Sequence, residues 1–159
     1  MCTITARKVA LEAAEHLGIP YSTSYTVARG IAERLRLGER RTHSYRMDSA
    51  QIAEAVLIAP SKSLGGSDPC AVAAIIRLNG IHQVLSDMIE SDHEALADSH
   101  IAIDRKGRAR WVYAESESPE TATRLPETEI GYGDFGAEKP SGPAFILDGA
   151  KITAMVAAL

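Results

Sequence analysis

The spacing of apolar residues along this chain changes once, near His100. Before that point they recur at intervals of three and four, and after it at intervals of two. The first period lays a stripe along a helix, and the second lines one face of a strand. The change predicts an α+β chain: an N-terminal region of about five helices, then a small antiparallel β-sheet of hairpins. On this basis the chain divides into a basic helical region over 1–46, a helical core region over 47–97 and a β-hairpin region over 98–159.

Punctuation residues bound the helices. The first runs from about Thr5 to Leu17, with Val9, Ala13 and Leu17 on one face beside Ala10 and Ala14. Gly18 suits the left-handed position that ends a helix, and Pro20 prevents resumption. Hydroxyls at Ser22, Thr23 and Ser24 offer caps for a second helix reaching about Leu37, where Gly38 stops it. Its inner stripe is Val27, Ile31 and Leu35 with Ala28 and Ala32; its outer face holds Thr26, Arg29, Glu33, Arg36 and Arg40. A third helix is capped by Asp48 with Gln51 as its box partner and is expected to end at Pro60. "SKSLGGSDP" is then a loop, and Asp68 or Ser67 caps a fourth helix with Pro69 at its start. Asn79–Gly80 breaks the chain before a fifth helix, whose Ile81, Val84, Leu85, Met88 and Ile89 follow the i, i+3, i+4, i+7, i+8 pattern.

Beyond His100, Ile101 and Ile103 alternate with smaller or polar neighbours, "DRKGR" turns the chain, and Ala109, Trp111 and Tyr113 alternate again. This is a hairpin, with Trp111 and Tyr113 on its core side and Arg105, Lys106, Arg108 and Arg110 making it basic. Residues 115–129 are acidic and poor in apolar residues, so they form a long surface loop. Asp148–Gly149 between two β-prone runs predicts a second hairpin at the C-terminus.

The chain has 159 residues, enough to bury a core without disulfide staples. With 45% hydrophobic residues, wholesale disorder is excluded. No apolar run approaches the roughly 20 residues of a membrane span, so no membrane partner is expected. Cys2 and Cys70 make no disulfide framework, which fits a reducing cytoplasmic setting. The net charge of −4 hides an asymmetry. Eight basic and four acidic residues leave 1–46 at +4, and the remainder carries −8. A basic end on an acidic body suits an anionic partner such as duplex DNA.

Residues 13–23, "AAEHLGIPYST", have what a helix-turn-helix needs: small Ala14 where the helices cross, Gly18 for the bend, and Ile19 as an apolar plug. Ser22, Thr23 and Thr26 supply polar reach at the start of the second helix. Over residues 9–37 the run resembles the helix-turn-helix of lactose-repressor-type regulators, with Ala14, Glu15, Gly18, Tyr21 and Thr23 at the matching positions. One position departs. Ser24 falls where that family buries an apolar residue, so Val27 takes over if the turn is a few residues longer.

The resemblance implies a small sequence-specific regulator of prokaryotic or phage type, acting on double-stranded DNA as a homodimer and without a cofactor. Thr23, Thr26 and Arg29 would meet base edges, and Arg34, Arg36, Arg40 and Arg41 would hold phosphates. Two alternatives remain open. One is a protein-interaction module, an inhibitor or adaptor, working through the acidic C-terminal part. The other is an enzyme dependent on Cys70, placed where a helix N-terminus stabilises a thiolate, or on a metal held by Asp92, His93, Asp98 and His100.

Overall fold

The computed structural model describes residues 4–34, 46–66, 68–78, 80–92, 94–113, 130–132 and 142–159. Among them the order is α1 (Ala6–Leu17), α2 (Tyr21–Arg34), α3 (Ser49–Ser63), α4 (Pro69–Leu78), α5 (Ile81–Glu90), a 3₁₀ turn (Glu94–Leu96), β1 (Ser99–Asp104), β2 (Ala109–Tyr113), β3 (Ile130–Tyr132), β4 (Ala144–Asp148) and α6 (Gly149–Ala158). The fold is α+β, with helices first and a sheet after them. The acidic segment 115–129 lies outside the described residues, as do His93, Leu35 and Gly38.

Local chemistry sets most boundaries. Thr5 accepts from the Lys8 amide to start α1, and Gly18, at φ 69°, ends it. Asp48 and Gln51 form the reciprocal capping box of α3: Asp48 Oδ1 accepts from the Gln51 amide at 2.8 Å, and Gln51 Oε1 accepts from the Asp48 amide at 2.9 Å. Gly80, at φ 69°, breaks the chain before α5.

Three expectations are corrected. Pro60 does not end α3 but lies inside it. In the last turn its missing N–H removes a single bond, and the Leu64, Gly65 and Gly66 amides close the turn on the carbonyls of Pro60, Lys62 and Ser61. The second helix starts at Tyr21, directly after Pro20, not from a cap at Ser22–Ser24. Proline tolerates the entry to a helix, and the Ser24 amide already donates to the Pro20 carbonyl at 3.0 Å. Finally, Asp148–Gly149 is not a hairpin turn. Asp148 Oδ1 accepts from the Ala150 amide at 2.9 Å and caps a sixth helix, whose Ile152 and Met155 are buried at helical spacing.

The core runs through the molecule around α3, where every residue from Gln51 to Ser61 is buried. This helix packs on α2, α4, α5 and β1, while α6 packs on α1, β1 and β4. The sheet is antiparallel throughout, in the order β3-β2-β1-β4. Ile101 faces Trp111 on one side and Leu147 on the other, and all three are buried. The expected hairpin and the inward Trp111 are therefore present; the side chain of Tyr113 is not among those described. The segment before α3 returns to the start of α1, where Thr5 bridges Arg46 and the Met47 amide donates to the Ile4 carbonyl at 2.9 Å.

Glu54 is buried on α3 and accepts from Nε of Arg77 on α4. The hydrogen bond and the charge of Glu54 raise the Arg77 pKa above its ordinary value. Arg77→Ala strands a carboxylate in the core and should cost about 2–3 kcal/mol in urea unfolding, whereas the Glu54→Gln/Arg77→Met pair should lose less. An Arg77→Ala protein as stable as the parent would show that Glu54 is solvated without its partner.

Candidate nucleic-acid interface

Only Gly18, Ile19 and Pro20 separate α1 from α2. Gly18 reverses the chain, and Ile19 is buried to 1% exposure, filling the corner as an apolar plug should. Ala10 and Ala13 of α1 and Ala28 and Ala32 of α2 are buried, and the two helices pack on one another. Small side chains let the backbones approach.

The bend has three residues, so the longer turn that would let Val27 take over from Ser24 is not what the structure has. Ser24 itself is 97% buried on the inner face of α2 and Val27 is buried one turn on, so one does not replace the other. Among the described residues the Ser24 hydroxyl has no hydrogen-bond partner.

The outer face of α2 presents Tyr21, Ser22, Thr26, Arg29 and Glu33. Thr26 is exposed as expected, although its hydroxyl donates to the Ser22 carbonyl at 2.7 Å. Thr23 is half-buried. Arg29 Nε lies 2.8 Å from Glu33 Oε1, an i, i+4 pair that is half exposed. Arg34 closes α2, its side chain outside the described set; Arg36, Arg40 and Arg41 are outside the described residues altogether. Two further cations, Arg7 and Arg46, are exposed, Arg7 in the first turn of α1 and Arg46 bridged to the residue before it.

One feature of this face escaped the periodicity argument. Tyr21 and Tyr25 stack with ring centroids 5.7 Å apart and planes 11° from parallel. Their i, i+4 spacing was the available signal.

The other candidates separate. Asp92, Asp98 and His100 are exposed and form no ligand cluster among the described residues; the group that does is Glu12, Glu15 and His16 on α1, with His16 Nε2 3.3 Å from Glu12 Oε2. That triad follows from the i, i+3, i+4 spacing on a helix. Cys70 is exposed in the first turn of α4, where its amide donates to Asp68 Oδ1 at 3.3 Å. It is thus not a core cysteine. In the basic hairpin, Arg108 is held by Asp104, with Nε 2.7 Å from Oδ2. No described helix is long and apolar enough to cross a membrane.

Comparison of the chain with protein-family models, with curated proteins and with solved structures returned no match.

Proposed function

We propose that the chain is a duplex-DNA-binding regulator that enters the major groove with the outer face of α2. The observation that carries this reading is the short α1–α2 bend. It seats Ser24, Val27, Ala28 and Ile31 inside while Tyr21, Ser22, Thr26 and Arg29 stay outside on the first turns of α2. A groove-reading helix needs that division between an anchored face and a polar N-terminal face. The +4 charge of residues 1–46 supports the same reading, since phosphate contacts supply most of the affinity.

In this proposal Thr26 and Arg29 probe base edges, and Thr23 lies at the margin of the contact. Arg34, Arg36, Arg40 and Arg41 hold phosphates. Arg29 must exchange Glu33 for a base. An exposed i, i+4 pair is itself worth only about 0.3–0.5 kcal/mol, against the roughly 1–3 kcal/mol by which a good bidentate contact discriminates one base from another. A homodimer would place two such helices on half-sites roughly 34–36 Å apart.

The test is a mobility shift on genomic fragments at low and physiological salt. Binding should fall steeply as salt rises. Arg40→Ala with Arg41→Ala should weaken binding to every sequence alike and reduce the salt slope by about two, whereas Arg29→Ala should blur preference between sequences. Unchanged isotherms in both variants, or no retarded band at low salt, would refute the assignment.

A further inference from the structure

The turn after α5 and the adjoining side of α6 enclose an open cleft of about 230 Å³. Met88 and Leu96, both buried, lie at its base, and half-buried Ile89 and Val156 form its sides. Only two lining side chains are polar, Asp92 and Thr153. The Thr153 hydroxyl donates to the Gly149 carbonyl at 2.9 Å, so toward the cleft it can only accept. The Asp92 carboxylate also only accepts, and among the described residues it has no hydrogen-bond or ion-pair partner. Both polar side chains at this cleft therefore ask for a donor.

The chain on the α5 side of the cleft is acidic, and Lys8, which reaches the end of α6, donates to the Leu159 carbonyl at 2.9 Å. No lysine or arginine occurs between residues 78 and 104, while Asp87, Glu90, Asp92, Glu94 and Asp98 are all exposed. Lys151 of α6 lies about 200° around the helix from Thr153, on its far side. Asp92 moreover adopts φ 49° just after the end of α5, where glycine is the easy residue.

We propose that this cleft binds a small organic cation, a primary amine on a single-ring or short branched apolar body. The apolar body occupies the space between Ile89 and Val156, and the ammonium donates to Asp92 and Thr153. The volume lies below the roughly 300–1,000 Å³ of sites for drug-sized ligands, which limits the body to about one ring. The proposal does not depend on DNA binding.

The probe is 2-phenylethylamine, titrated into the 159-residue chain and followed by amide and methyl resonances. Shifts should concentrate at Met88, Leu96, Thr153 and Val156, with a Kd on the order of 1 mM. The neutral isostere 2-phenylethanol should bind more weakly and the anion 3-phenylpropionate more weakly still. Asp92→Asn should weaken the amine roughly fivefold, as for a solvent-exposed charge pair. Asp92→Gly should lose binding to a similar extent while raising Tm, which separates ligation from folding. Ala157→Leu, which narrows the cleft, should also weaken it. Equal affinity for all three probes, unchanged affinity in both Asp92 variants, or no localised shifts at millimolar amine would overturn the proposal.

Discussion

Gly149→Ala should cost about 3 kcal/mol or more, and the variant should accumulate poorly or unfold at ambient temperature. A Cβ at this position would sit 1.7 Å from the Leu96 carbonyl oxygen, 2.7 Å from the Ser99 carbonyl oxygen and 2.8 Å from Ser99 Oγ. These obstacles cannot step aside as a flexible side chain would. The Ser99 hydroxyl is bonded to the Leu96 carbonyl at 2.8 Å, and Ser99 is the first residue of β1. Relief would require α6 to lift from the 3₁₀ turn and from β1, opening the core at Ile152 and Met155. Gly30→Ala is the matched control. An added Cβ there meets nothing within 4 Å, and Gly30 is inside α2. That change should stabilise the protein by about 0.5–1 kcal/mol. Urea unfolding of the two variants beside the parent reads both effects. A Gly149→Ala protein within 1 kcal/mol of the parent would show that the start of α6 is not pinned as described.

Asp104→Ala should cost about 3–5 kcal/mol, because the side chain organises the whole β1–β2 turn from inside. Asp104 is fully buried. Its Oδ1 accepts from the Lys106 amide at 2.8 Å and the Arg108 amide at 3.0 Å, while Oδ2 accepts from Arg108 Nε at 2.7 Å. Its backbone carbonyl meanwhile takes the Ser61 hydroxyl at 2.7 Å, tying the turn to the end of α3. Alanine would leave two amides and a largely buried guanidinium without their acceptor. Asp104→Asn keeps the shape and one set of acceptors but removes the charge, so its loss should be smaller. If the two substitutions were equally mild, the turn would have to be held by its backbone bonds alone.

The notable feature of "DRKGR" is how little of this can be read from its letters. Four basic residues in a turn and its flanks look like a solvated edge or a phosphate contact. In the structure Arg108 closes onto Asp104 four residues earlier, and the basic appearance is partly internal neutralisation. Arg29 on α2 is likewise paired within its own helix, with the exposed Glu33. Both partners were visible at i, i+4. What was not visible is burial, which makes the first pair structural and leaves the second at the surface.

Local signals carried well wherever the deciding contacts lie within one or two turns of chain. The Asp48 cap, the left-handed Gly18, the break at Gly80 and the buried stripes of α1 and α5 all follow from residues close in sequence. The candidate interface was partly legible for the same reason. The alternation of Val27 and Ile31 with Thr26 and Arg29 is a helical period. The stacking of Tyr21 on Tyr25 is the same period in another pair.

From its own order of residues, this chain determined that helices come first and strands after, where most helices begin, and which of their faces are apolar. Tertiary structure alone decided that Asp148–Gly149 caps a helix, because the same aspartate-to-amide bond serves a turn or a cap. The choice falls to Gly149 meeting Leu96 and Ser99, some fifty residues away. It likewise decided that Ser24 is buried and that Pro60 stays helical. Those outcomes depend on what packs alongside, and distance in sequence hides packing.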